Sequence, residues 1–292
     1  MSFAQAAEEL HVTPAALSYQ IKALEADLGQ PLFRRLNRAV ELTAAGRALA
    51  PGVAEAFEIL SRSWRTTRRL NETGILRVTA GPAFTSKWLA PRLFTFAQAH
   101  PEIELRFIAT LRLLDFDRDE VDVAIRFGVG TDEGLYSRPL IGEWMTPMMT
   151  PEMAERIKTP ADLDGAVLIH DDSLDFFETP GDWAGWCKAA GVTVDTSHGP
   201  RFSHADHALD AAMAGTGVVL GRVSLATRAL ESGRLVAPFD VGLKVDAQFR
   251  FVCPKGMETR PNIAAFEAWV MEEIEASRKF EPGRRMVAAS DL

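Results

Sequence analysis

The stretch SFAQAAEELHVTPAALSYQIKALEADLG, residues 2–29, decides how the rest of the chain is read. Phe3, Ala6, Ala7 and Leu10 recur at i, i+3, i+4 and i+7, one face of an amphipathic helix, and Ser2 with Gln5 has the form of a capping box. After the break His11-Val12-Thr13, Thr13 is placed to cap a second helix. Pro14 then takes the first helical position, where its missing N–H removes no intrahelical bond. Leu17, Ile21, Leu24 and Leu28 share one stripe of that helix, Val12 can staple onto Leu17, and Gly29 supplies the stop. Ala15, Ser18, Tyr19 and Lys22 point the other way and are small, polar or positive.

Two helices joined by so short a break form a helix-turn-helix, whose second helix fits the major groove of B-DNA with its N-terminal side chains at the base edges. Thr13, Ala15, Ser18, Tyr19, Gln20 and Lys22 are the candidate DNA-binding residues on it. Beyond Gly29-Gln30-Pro31, residues 32–42 read as two short strands around a turn at Asn37. Arg34, Arg35 and Arg38 occur there with no acid before Glu41, which suits a wing held against phosphates.

The chain has 292 residues, room for two domains and a linker, and 47% of them are hydrophobic, ordinary globular content. No run approaches the roughly 20 apolar residues of a membrane span, and no leader precedes the first helix, so a cytoplasmic protein without a membrane partner is expected. Cys187 and Cys253 lack metal-type spacing and read as reduced structural thiols. The net charge of −8 is unevenly spread: residues 1–70 hold nine Lys/Arg against seven Asp/Glu, and the remainder 23 against 33. A slightly positive head on an acidic body is what a DNA-binding protein with a separate second domain would show.

From Thr43 to Leu70 the pattern is one long helix with Leu49, Val53, Phe57, Leu60 and Trp64 along one side, and a bend is expected at Pro51. Such a stripe between domains needs a partner, and a second copy of itself is the economical one. Strand and helix patterns then alternate from Ile75 to about Ile274, implying a mainly parallel sheet in two lobes with a ligand cleft at the carboxyl ends of the strands. The domains expected are 1–43, 44–73 and 74–280, the last divided into a lobe of about 74–145 with 247–280 and a lobe of about 146–246. Residues 281–292 read as a loose tail.

The motifs AAEELHVT (6–13), QIKALE (20–25), LGQPLFRR (28–35) and LTAAGR (42–47) resemble the LysR-type transcriptional regulators. Further on, WLAPRL (88–93), DVAIRFG (122–128) and GRLVAPF (233–239) resemble the branch of that family containing the glycine-cleavage activator. The resemblance runs from Ser2 to about Ser277. It implies a winged helix-turn-helix head, a linker helix and a two-lobed effector domain like the periplasmic binding proteins. It also implies a dimer or tetramer that binds double-stranded promoter DNA and senses a small molecule. By position, the effector would meet Pro82, Phe84, Thr85, Ser86, Thr110, Arg126 and Phe127 from one lobe and His170, Phe202 and Ser203 from the other. Free N–H groups at Thr85 and Ser86 together with Arg126 would suit an anion, against the plainer alternative that Arg126 is held in an internal salt bridge. Family members carry a further helix ahead of Ser2, and Met1 stands where it would end, so this head is expected to be weakened or partly disordered.

No enzymatic chemistry stands out. His204-Ala205-Asp206-His207 has metal-like residue types but no completing Cys or Glu set, and His170-Asp171-Asp172 has no nucleophile motif nearby. No catalytic residue, metal or cofactor is therefore assigned. The competing functional reading is a cytosolic solute-binding protein or small-molecule enzyme built on the two-lobed region, its front segment serving only dimerisation.

Overall fold

The structure, a computed structural model, describes residues 2–35, 40–69, 74–175 and 181–292. It divides into two compact units, Met1–Glu72 and Thr73–Leu292.

In the first unit, α1 (Phe3–Glu9) and α2 (Pro14–Leu28) flank a turn in which His11 takes a left-handed φ of 54°. Thr13 caps α2, its Oγ1 accepting from Ala16 N at 3.1 Å, and Gly29 ends the helix at φ 71°. The Ser2 side chain makes no cap bond, so the expected capping box is not formed. Glu25 fixes the wing to α2: one carboxylate oxygen accepts from Leu32 N at 2.8 Å and Phe33 N at 3.0 Å. The wing strands β1 (Phe33–Arg35) and β2 (Val40–Leu42) pair antiparallel, and the Phe3 and Phe33 rings meet edge to face at 5.3 Å. The turn expected at Asn37 lies outside the described residues. Burial is sparse. Ala7 and Leu32 are covered, Leu17 and Ile21 are half-buried, and Leu24 and Leu28 are exposed, so only part of the apolar stripe of α2 finds cover within this chain.

Thr43 starts α3 (Ala44–Arg69), donating from Oγ1 to Pro31 O at 2.7 Å and accepting from Gly46 N at 3.1 Å. The helix continues through Pro51, and Leu49, Val53, Phe57, Leu60 and Trp64 are all exposed along it.

The second unit is a nine-stranded mixed sheet covered by helices. β3 (Ile75–Ala80) leads into α4 (Pro82–Phe84), a π turn (Thr85–Leu89) and α5 (Leu93–Ala99), followed by β4 (Glu104–Ala109) and β5 (Val123–Gly128). β6 (Leu135–Met148), α6 (Pro151–Ala154), β7 (Leu168–Asp171), α7 (Trp183–Ala190) and β8 (Arg201–Phe202) come next. The remainder is α8 (Ala205–Met213), β9 (Val218–Arg222), α9 (Val223–Glu231), β10 (Val241–Pro254), α10 (Pro261–Ser277) and β11 (Arg285–Ala288). The strand order is β4-β3-β5-β10-β6-β9-β7-β8, with β11 beside β10. β3, β4 and β5 run parallel, as do β7, β8 and β9, while β6 and β10 pair antiparallel between the two sets. One core packs Phe84, Trp88, Phe96, Phe249, Phe251 and Phe266 under the first set. The other packs Trp183, Trp186, Leu220 and Phe239 under the second.

The structure corrects the sequence expectation at the end of the chain. The tail is not loose: β11 pairs parallel with Val241–Lys244, Arg285 N donates to Asp240 O at 2.7 Å, and Ala289 is buried. A strand that joins a distant partner needs no periodicity of its own, and none was visible in the sequence.

The fit of the head depends on Gly46, where a Cβ would stand 2.2 Å from Leu32 O. Replacing Gly46 with Ala should destabilise the first unit by about 1–3 kcal/mol. Amide exchange in α1 and α2 should accelerate accordingly while α10 keeps its rates, and unaltered exchange in α1 and α2 would contradict the packing.

Candidate functional site

On α2, Ala15, Tyr19, Gln20 and Lys22 are exposed and Ser18 is half-buried, with Tyr19 at 70% exposure. Positions 15, 18, 19 and 22 recur at helical spacing and form one polar face that ends on a cation. Thr13 stands at the head of this face with its hydroxyl engaged in the cap. On the wing, Arg34 Nη2 meets Glu41 Oε2 at 2.9 Å, its register partner across the two strands. Both side chains are largely exposed, and such a pair is weak enough to be exchanged for a phosphate. The Arg35 side chain and Arg38 lie outside the described residues.

In the second unit a cleft of about 430 Å³ opens between the two sets of strands. Five of the ten residues expected at the effector site line it: Phe84, Thr110, Arg126, Phe127 and Ser203. Pro82, Thr85, Ser86, His170 and Phe202 do not. The helix after β3 begins at Pro82 and not at Thr85 or Ser86, where free N–H groups were expected, and Thr85 N donates to Gly81 O at 2.9 Å. The free amide expected at Thr85 is therefore inside the helix. Ser86 faces an outer groove with Lys87 and Arg228, its Oγ 3.3 Å from Asp206 Oδ2. His170 lines a smaller pocket with Asp171, Asp172, Asp175 and Asp182, its Nε2 3.2 Å from His198 O. Phe202 packs half-buried against the first core.

Arg126 is largely engaged by the protein itself. Its Nη1 meets Asp132 Oδ1 at 3.0 Å, Nη2 donates to Leu114 O at 3.2 Å, and the guanidinium lies over Phe116. The internal salt bridge weighed as the plainer alternative is thus formed. Asp132, 5% exposed, also accepts from Arg250 at 2.8 Å and Ser137 at 2.8 Å. Burial alone would raise the Asp132 pKa, but the hydrogen bonds from Arg250, Ser137 and Arg126 outweigh it and hold the carboxyl below its usual range.

Sequence reasoning missed Arg222, the last residue of β9, which lines the cleft with its guanidinium 4.4 Å from the Phe127 ring centroid. A lone arginine closing the apolar run Val218-Val219-Leu220-Gly221 was the available signal. Its ionic neighbour is the fully buried Glu143, whose pKa burial pushes up against the lowering effect of Arg222 and of bonds from Ser224 and Trp144.

Among the described residues no group of three or more His, Cys, Asp or Glu is placed to hold a metal ion. The His204 and His207 rings lie 5.4 Å apart at the start of α8, and His204 makes no side-chain cap bond. Both cysteines are buried free thiols, and burial pushes Cys253 up to about 12, far from a reactive thiolate. No helix among the described residues is long and apolar enough to cross a membrane.

A winged helix-turn-helix followed by a two-lobed α/β unit with a cleft defines a DNA-binding regulator of the ligand-responsive class. The comparisons narrow the class. The bacterial regulatory helix-turn-helix family model of the lysR type matches residues 1–47, and the LysR substrate binding domain model matches residues 70–275. The glycine cleavage system transcriptional activator of Escherichia coli (strain K12) is 38% identical over 283 residues, 96% of this chain and 91% of that one. The HTH-type transcriptional activator AmpR of Rhodobacter capsulatus is 33% identical, covering 92% of this chain and 91% of its own. Among solved structures, the effector domain of AmpR of Pseudomonas aeruginosa is 28% identical with a TM-score of 0.57, covering 70% of this chain and 98% of that one. The chain belongs to the LysR-type transcriptional regulators. That membership removes the competing reading as an enzyme or solute-binding protein.

Asp132 gives the site a measurable pH dependence. Its depressed pKa contributes stability that is present above the unfolded carboxylate value of about 3.9 and is lost as pH falls through the folded-state value. Asp132→Asn should therefore lower the thermal midpoint at pH 7, and the gap to wild type should close on acidification below about pH 4. A gap independent of pH would contradict the assignment.

Proposed function

We propose that this chain is a cytoplasmic regulator that binds promoter DNA with the exposed face of α2 and the wing, pairs with a second copy along α3, and responds to a small anionic molecule in the cleft. The observation that carries the reading is the polar face Ala15-Ser18-Tyr19-Lys22 on a helix firmly capped at both ends by Thr13 and Gly29. A groove-reading helix must be stiff, exposed on one side and free of acids there, and this face meets all three conditions. Gln20 stands beside it, and Arg34, Arg35 and Arg38 would take phosphates from the wing.

The exposed stripe Leu49, Val53, Phe57, Leu60 and Trp64 supports self-association into a homodimer or homotetramer, since apolar side chains at that spacing gain most from a like partner. A cleft of about 430 Å³ with Thr110, Phe84, Phe127 and three arginines, Arg112, Arg126 and Arg222, in its wall suits a compact organic anion.

Binding of the full chain to the DNA immediately upstream of its own coding region, followed by fluorescence anisotropy, tests the reading. The upstream fragment should be held more tightly than a random duplex of equal length. Lys22→Glu should weaken that binding at least about tenfold, because it turns a phosphate-facing cation into an anion. Equal affinity for the two duplexes, or indifference to Lys22→Glu, would contradict it.

A further inference from the structure

Arg222 is the least satisfied cation in the cleft wall. Its side chain is 6% exposed, its Nε–H is buried without a hydrogen-bond partner, and no hydrogen bond from this guanidinium forms among the described residues. Phe127 holds one face at 4.4 Å and Phe249 lies at 5.7 Å. The nearest acid, Glu143, has Oε2 3.6 Å from Arg222 Nε, beyond hydrogen-bond reach. Glu143 has bonds of its own: Oε1 accepts from Trp144 N at 3.1 Å and Ser224 N at 3.2 Å, and Oε2 accepts from Ser224 Oγ. Arg222 is therefore not needed to complete the hydrogen bonding of Glu143.

The other charged groups of the cleft are hydrogen-bonded to a counter-ion, although Arg126 Nε is, like Arg222 Nε, buried without a partner of its own. Arg126 binds Asp132 at 3.0 Å, Arg112 binds Asp119 at 2.7 Å, and Asp172 binds Arg201 at 2.9 Å. On the same half of the cleft as Arg222, just after β7, Ser173 Oγ is buried and also lacks a partner. A buried guanidinium with unmade hydrogen bonds is costly, and a ligand that completes them recovers the loss.

From this geometry we propose that Arg222 is the specificity-determining anchor of the cleft and takes the carboxylate of a compact monoanion whose flat apolar body lies against Phe84, Phe127 and Phe249. The guanidinium carbon lies over the Phe127 ring and Nε is turned to Glu143, which leaves the edge formed by the two terminal Nη groups to fit a planar carboxylate in two parallel bonds. The ring centroids of Phe84 and Phe249 lie 4.4 Å apart and those of Phe127 and Phe249 4.6 Å apart, a close-packed aromatic cluster in the cleft wall in which Phe127 is the more exposed ring. This rests on the cleft being the effector site, and it moves the anion from Arg126, where sequence position alone would put it, to Arg222.

Benzoate, its neutral isostere benzamide and the cation benzylamine test the anchor on the full chain by calorimetric titration. Benzoate should bind at least about tenfold tighter than either. Arg222→Met should abolish that preference. Arg222→Lys, which keeps a charge beside Glu143 and guards against a folding failure in the first variant, should weaken benzoate about tenfold. Arg106→Met, which removes an exposed cation on β4 outside the cleft lining, should leave benzoate within about twofold. Benzoate binding no tighter than benzamide, or a preference that survives both Arg222 variants, overturns the anchor. Equal binding of benzoate and benzamide leaves the cleft a ligand site without an anion anchor. Benzoate binding that persists in Ser203→Trp, which fills the cleft, lies elsewhere and removes the cleft reading together with the anchor.

Discussion

The antiparallel pairing of β6 with β10 is the constraint on which the second unit depends. Each strand is 14 residues long, and the pair runs from Leu135 beside Pro254 to Met145 beside Leu243. One end of the pair carries β5 and, through it, β3 and β4; the other carries β9 and, through it, β7 and β8. The register shifts between Lys244 and Gln248, where the pair passes from one set of strands to the other. A cleft arises because two half-sheets share one crossing ribbon, with the carboxyl ends of their parallel strands facing each other across it.

The same ribbon sorts the arginines of the cleft into two kinds. Asp132 receives Arg250 from β10, Ser137 from β6 and Arg126 from β5, tying three strands together at one carboxylate. Arg126 is part of that fastening. Arg222 sits opposite Met145 on the far side of the ribbon, beneath the Phe127 ring and 3.6 Å from Glu143 without a hydrogen bond to it. Two cations at or near strand ends look alike in a sequence; both line the cleft, and the position of Asp132 separates the one hydrogen-bonded to a carboxylate from the one that is not.

The head was legible because its signals are local. Thr13, Pro14 and Gly29 act on the backbone within one turn, and each sits in the structure where its chemistry places it. The first three strands of the second unit were legible for the same reason, as short apolar runs between turns. β6 does not show in the sequence because Pro139, Gly142, Glu143 and Pro147 interrupt its apolar pattern; its stability comes from β9 and β10 on either side. β11 was invisible for a related reason, being an addition to a strand some forty residues upstream. The helix after β3 begins at Pro82 because a proline at the first turn, with Gly81 before it, needs no capping side chain. With the helix already under way at Thr85, its amide is bonded to Gly81 O and is not free for a ligand. Half of the expected effector residues line the cleft because strand order was readable, and the rest do not because helix phase and pairing partners were not.

Burial is sparse in the first unit and dense in the second, and the face of α2 offered to DNA is the polar one, opposite the partly covered apolar stripe. If the α2 face and the cationic wing are what bind DNA, affinity must be dominated by released counterions. The most direct measurement is the dissociation constant of the full chain for its upstream DNA across monovalent salt from 50 to 200 mM. An interface of six or more phosphate contacts loses about a thousandfold in affinity or more over that range. An affinity that stays level across it would contradict DNA binding through these residues.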